Sequence, residues 1–362
     1  MEMTKERRNL LVAGSVVGII AVLLVAFGNP KNMGFCIACF VRDTAGALKL
    51  HSAPVVQYLR PEIIGLVLGA MGISMAKGEF RPRGGSSPVL RFVLGFFMMV
   101  GALVFLGCPL RMVLRLAGGD LNGIVGLLGF ICGVLVGCQF LKKGYSLGRS
   151  YAAPRLEGFA FPAIQIVALV VLVCFPFLLA FSEKGPGSMH APLVVSLLAG
   201  LVVGALAQRT RMCMAGGVRD IILFKDTTLI TGPLCIFLFA LVGNLLTGRF
   251  HLGFVGQPIS HHDVLWNFLG MVLCGMAAVM LGGCPLRQLI LAGEGNSDSA
   301  MACLGMLVGA AFAHNWTLAG VADSADKAGG ATLHGKVAVV VGLLVLVGIG
   351  CAQVKKQKKQ EA

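Results

Sequence analysis

The sequence predicts an all-α integral membrane protein of about ten transmembrane helices plus four re-entrant half-helices, arranged as an inverted repeat. Three observations lead there. Of 362 residues, 57% are hydrophobic and 13% charged, with a mean hydropathy of +0.86, whereas soluble domains carry roughly 25% charged residues. Ten segments meet or approach the about 20 apolar residues that a helix needs to cross a bilayer core. Two cysteine-containing segments each recur, in the same order and at nearly the same separation.

The expected spans lie near 9–28, 61–77, 88–107, 120–141, 159–181, 190–207, 228–247, 264–283, 298–317 and 336–353. The first follows Lys5, Arg7 and Arg8; it is long for a signal peptide and has no A-x-A site after it, so it reads as a retained span. With both termini cytoplasmic, the basic stretches Lys77–Arg81–Arg83, Lys142–Lys143–Arg149–Arg155 and Lys355–Lys356–Lys358–Lys359 all fall inside, as the positive-inside rule requires. The formal charge of +14 is therefore an orientation signal and does not call for nucleic acid. The partner is instead a lipid bilayer, and the 50 glycines suit close helix packing within it.

Residues 35–43 read F-C-I-A-C-F-V-R-D, and residues 212–220 read M-C-M-A-G-G-V-R-D. Cys36, Arg42 and Asp43 thus stand at one constant separation from Cys213, Arg219 and Asp220. L-G-C-P-L-R (106–111) and G-G-C-P-L-R (282–287) repeat at a separation one residue shorter, pairing Cys108 with Cys284 and Arg111 with Arg287. The expected layout is repeat 1 over 1–150, a linking span over 151–189, repeat 2 over 190–320, and a final span with a basic tail over 321–362. Five crossings precede the second half. An odd number turns it upside down, provided each short segment returns to the side it came from.

Those four segments, about 8 to 15 residues each, are too short to span, and irregular backbone at membrane depth must face protein or water. In G-C-P-L-R the glycine would end the incoming helix, cysteine would cap the next one, and proline would take its first position, where a missing N–H is harmless. The sulfur then sits at the positive end of a short helix with arginine about one turn away. A thiol beside fixed positive potential suits an anion that can also contact sulfur. The candidate pathway residues are Cys36, Cys108, Cys213, Cys284, Arg42, Arg111, Arg219 and Arg287, with the arginines alternatively serving as interfacial anchors. Cys39, Asp43 and Asp220 are secondary. Adjacent helical residues do not face each other, so the aspartates are expected to pair with arginines elsewhere.

The remaining cysteines (Cys132, Cys138, Cys174, Cys235, Cys274, Cys303 and Cys351) read as packing, as do Met212 and Met214. Cys36 and Cys39 form a C-x-x-C that the second repeat does not share, since Gly216 replaces the second cysteine. No metal or other cofactor is expected, because no further Cys or His partners stand at compatible spacing; His190, His251, His261, His262 and His334 read as solvated loop residues. G-x-x-x-x-G-K-[ST], G-x-S-x-G and H-E-x-x-H are absent, which excludes an ATP motor in this chain and argues against an enzyme.

With G-N-P-K-N-M-G-F-C-I-A-C-F-V-R-D (28–43), R-M-C-M-A-G-G-V-R-D (211–220) and both G-C-P-L-R motifs in view, the chain resembles the YeeE/YedE family of bacterial membrane proteins with sulphur-transport domains. Within the family it is most similar to the YedE branch, associated with selenium metabolism. The resemblance implies a multi-pass protein of the cell inner membrane whose re-entrant helices pinch an hourglass pathway. It also implies cysteines at the pinch, here Cys36, Cys108 and Cys284 with Cys213 as symmetry mate, that pass an anion along by S–H···S contacts, and a small cytosolic sulfur-carrier protein as partner. The thiosulfate-importing branch has G-C-T-x-G-H-G where this chain has G-C-P-L-R, a difference that fits a related anion such as a selenium species. The function expected is uptake of a small sulfur- or selenium-containing anion through a central cysteine-lined constriction where the two halves bring their thiols together. A membrane thiol or sulfur-relay protein handling persulfide or selenium at Cys36 and Cys39, and a non-selective channel, are the alternatives.

Overall fold

The computed structural model describes residues 4–324 and 326–361, with side chains to 357 in the last helix; Lys358 and Lys359 of the basic tail lie outside the described side chains. These residues form fourteen α-helices, one 3₁₀ turn and a two-residue strand pair. The first seven helices are α1 (Lys5–Ala26), α2 (Ile37–Ala47), α3 (Pro61–Ala76), α4 (Pro88–Val104), α5 (Pro109–Ala117), α6 (Asn122–Lys142) and α7 (Arg155–Cys174). The second seven are α8 (Leu193–Thr210), α9 (Met214–Phe224), α10 (Thr231–Leu246), α11 (Val264–Leu281), α12 (Pro285–Gly293), α13 (Ser297–Asn315) and α14 (Leu333–Glu361). Every expected span falls on a helix, and every short motif falls on a short one.

Helix lengths run 22, 11, 16, 17, 9, 21 and 20 residues in the first series and 18, 11, 16, 18, 9, 19 and 29 in the second. At 1.5 Å per residue, sixteen residues reach about 24 Å and nine about 14 Å, roughly a bilayer core and half of one. α7 stands seventh in its series as α14 does in the other. Among the described residues, seven helical stretches are long and apolar enough to cross a membrane: Lys5–Ala26, Pro88–Ala117, Asn122–Lys142, Arg155–Cys174, Leu193–Phe224, Val264–Gly293 and Leu333–Gln357. Pro61–Ala76 and Thr231–Leu246 are apolar but shorter. The protein is an all-α, multi-pass membrane protein.

Packing repeats with the sequence. α3 lies on α8 as α10 lies on α1, α6 lies on α11 as α13 lies on α4, and α4 and α11 meet each other. Small residues make the approach possible. Gly65 and Gly69 of α3 face Gly200 and Gly204 of α8, and a methyl group on Gly204 would stand 2.1 Å from the Leu66 carbonyl oxygen. The apolar side chains left outside, such as Leu156, Val167, Leu246 and Leu344, suit a hydrocarbon solvent. Loop 77–87 lies against the end of α12 through Arg81 N–H to the Glu294 carbonyl (3.1 Å) and Arg83 N–H to the Gly295 carbonyl (3.3 Å). Loop 247–263 lies against the end of α5 in the same way, through His251 N–H to the Gly118 carbonyl (2.9 Å) and Gly253 N–H to the Gly119 carbonyl (3.0 Å).

Candidate functional site

All four short helices begin at a cysteine. Cys36, Cys108, Cys213 and Cys284 are the N-caps of α2, α5, α9 and α12, and Pro109 and Pro285 open α5 and α12 as the motif requires. In α2 and α9 the sulfur does the capping, accepting from Cys39 N–H (3.4 Å) and Gly216 N–H (3.2 Å). The glycine directly before each Cys-Pro, Gly107 or Gly283, does not make the turn; the residue before it does in both copies, Leu106 at φ 61° and Gly282 at φ 84°.

The thiols meet in two pairs. Cys36 and Cys108 have their sulfurs 3.9 Å apart, Cys213 and Cys284 theirs 3.7 Å apart, and Cys284 N–H also donates to the Cys213 sulfur at 3.5 Å. All four are buried. Each pair joins the two short helices of one half. Among the described residues no hydrogen bond links a thiol of one pair to a thiol of the other. α5 touches α9 and α12 touches α2.

The arginines divide sharply. Arg42 and Arg111 are buried, at 2% and 0% exposure, which excludes interfacial anchoring for both. Arg111 has no carboxylate partner among the described residues. Its guanidinium donates instead to the carbonyls of Asn32 (3.2 Å), Leu106 and Ile259 (3.0 Å) and to the Cys39 sulfur (3.4 Å). Arg287, its repeat mate, is only half-buried, bonds Glu294 at 3.1 Å, and lines a cavity. The same motif therefore yields a clamp in one half and a cavity wall in the other.

The aspartates depart from expectation. Arg42 bonds its own neighbour Asp43 through Nε (2.9 Å) and Nη2 (2.7 Å), and Arg219 bonds Asp220 at 2.8 Å. A long guanidinium stem folds back over its own turn, which the rule for adjacent helical side chains does not anticipate. Asp43 also takes a distant partner, Arg60, at 2.7 Å. Sequence reasoning passed over Arg60, whose only local mark is the proline after it. It also passed over Arg115, one turn beyond Arg111, which bonds Asp120 at 2.6 Å inside the core. A second basic residue at i+4 on so apolar a helix was the available signal. His261 is a further correction. It is fully buried, donating Nε2–H to the Val104 carbonyl at 2.7 Å, because loop 247–263 folds inward.

These environments make different demands on a substitution. Arg111 uses a planar fork spread over five acceptors, the Pro258 carbonyl (3.4 Å) among them, which a lysine ammonium cannot reproduce, whereas Arg287 presents charge to an open cavity. Arg111→Lys is therefore expected to lose as much activity as Arg111→Ala, on the order of tenfold or more for lost charge-assisted hydrogen bonds. Arg287→Lys is expected to keep most of what Arg287→Ala loses. Parallel uptake assays on the four variants check both statements; equal rescue by lysine at the two positions contradicts them.

Two comparisons bear on this geometry. Residues 209–362, which contain α9, α12 and the second thiol pair, match the Sulphur transport family. A stretch of 108 residues, 30% of this chain, is 31% identical to the thiosulfate transporter TsuA of Spirochaeta thermophila. The match spans 32% of that protein, about a third of its length.

Proposed function

We propose, from the match of residues 209–362 to the Sulphur transport family and the likeness of a 108-residue stretch to a thiosulfate transporter, that this chain takes up a small sulfur-containing anion along a path through two thiol pairs. The four short helices are re-entrant, ten longer helices cross the membrane, and the two series of seven are inverted relative to each other. Both termini lie on the cytoplasmic side of the cell inner membrane. One observation carries the reading: four buried cysteines cap four short helices and stand in two sulfur–sulfur contacts of 3.9 and 3.7 Å. At such positions the helix starts offer fixed positive potential, and thiols offer soft donors that an anion's terminal sulfur can exchange without shedding all its hydration at once. Weak contacts at several sites let an ion enter and also leave.

Thiosulfate is the first cargo to test, since a relative named for it is 31% identical to this chain over 108 residues. Selenium oxyanions are the competitors, and a small cytosolic sulfur-carrier protein is the recipient this reading expects. Purified protein in proteoliposomes should accumulate labelled thiosulfate or a selenium analogue above protein-free vesicles, with mutual competition. Absence of flux for every sulfur and selenium anion offered overturns the proposal.

A further inference from the structure

Arg211, two residues before Cys213, and Arg287, three after Cys284, line a cavity of about 340 Å³ whose wall also includes Arg81, Arg83, Glu79 and Glu294. Its charges are unevenly matched. Glu79 is held by Arg209 (2.6 Å) and by Gln208 (2.8 Å), and Glu294 bonds Arg287 at 3.1 Å. The Gln208 amide and the Arg209 guanidinium hold the Glu79 carboxyl below its usual range, so it stays ionised at neutral pH. Arg81, Arg83 and Arg211 have no carboxylate partner among the described residues.

Arg211 is also in an unusual backbone state. It closes α8 at φ 53°, in the left-handed region that favours glycine. The equivalent residue of the first repeat is Gly34, and Gly118 stands where Glu294 does. A bulky cation held in that conformation beside the cysteine motif points to use of its side chain. Around the first copy of the motif, loop 247–263 folds in instead, and its Ile259 carbonyl and Ser260 hydroxyl occupy Arg111 and Arg115.

We propose that the basin is a binding site for a small dianionic sulfur oxyanion, gripped by Arg81, Arg83 and Arg211, with Arg287 shared between the ion and Glu294. The proposal rests on the transport reading and adds a station whose Arg211 and Arg287 stand close in sequence to Cys213 and Cys284. The two carboxylates keep the grip weak, as an ion in transit requires. Planar guanidinium groups suit the bidentate oxygens of such an anion.

The test measures equilibrium binding of labelled thiosulfate to the purified full-length protein, with uptake in proteoliposomes alongside. The triple variant Arg81→Gln, Arg83→Gln, Arg211→Gly should bind about tenfold more weakly or worse, since each lost charge-assisted contact is worth at least several-fold. Arg211→Gly alone should weaken binding while leaving the melting temperature unchanged or raised, because glycine adopts that φ freely. Glu79→Gln should tighten binding several-fold. No saturable binding by the unaltered protein, or a folded triple variant that binds within twofold of it, overturns the basin. Binding that is lost in the triple variant while no protein shows uptake leaves the basin standing and removes the transport reading. Normal uptake with unchanged binding does the reverse.

Discussion

Cys108→Ala and Cys284→Ala should each reduce anion uptake on the order of 10- to 100-fold, the range set by losing one hydrogen bond to a charged group. Each of these cysteines is the N-cap residue of a short helix that begins with proline. Each is also half of a sulfur–sulfur contact, at 3.9 Å with Cys36 and 3.7 Å with Cys213. Removing one sulfur leaves its partner without the neighbour that would receive the ion. The serine variants separate soft contact from simple hydrogen bonding: Cys108→Ser and Cys284→Ser keep a donor of similar size and should still lose most uptake. Cys274→Ala and Cys303→Ala, buried elsewhere in the core, should keep near-normal rates. Full activity in Cys108→Ala and Cys284→Ala would show that the anion passes without them.

The second large effect is on stability. Asp43→Ala should cost about 3–5 kcal/mol, the usual consequence of leaving a buried charge without its partner. Asp43 holds two arginines, Arg42 and Arg60, each at 2.7 Å, and all three side chains are buried to within 2%. Arg60 further ties Pro186 (2.9 Å) and Met189 (3.1 Å) through their carbonyls, so the carboxylate anchors loop 175–192 as well as α2. Asp220→Ala removes the same motif residue from the other half, but Arg219 and Asp220 are 31% and 12% exposed. A pair in contact with solvent is worth at most about 1 kcal/mol. Thermal unfolding of the two variants in the same detergent should therefore differ clearly, and equal losses would contradict the burial argument.

Much of this architecture is legible in the sequence because its determinants are local. Hydropathy locates the long helices, and Cys-Pro fixes an N-cap and a first helical residue wherever the segment sits. The constant spacing between Cys36–Arg42–Asp43 and Cys213–Arg219–Asp220 exposes the duplication. What stayed hidden depends on tertiary placement. Arg111 and Arg287 share one motif, yet one is clamped by the carbonyls of loop 247–263 and the other faces a basin below loop 77–87. Those loops differ in length and share no pattern, so their roles cannot be read from the repeat. The pairing of Arg42 with its own neighbour was missed for a simpler reason: spacing rules describe where side chains start, while a guanidinium ends several bonds away. His261 lay in an apparently polar stretch, His261–His262–Asp263, and only the inward fold of that loop buries it.

The central claim is that two thiol pairs act in series on one anion path. It is tested most directly by cysteine labelling of the reconstituted protein with a small thiol reagent added from one side at a time, each cysteine being read by peptide mass spectrometry. Cys36 and Cys108 should react from one side, Cys213 and Cys284 from the other, and thiosulfate should slow all four while leaving Cys174 and Cys351 unaffected. If the anion protects neither pair, or if all four react from the same side at the same rate, the path through the thiols does not exist.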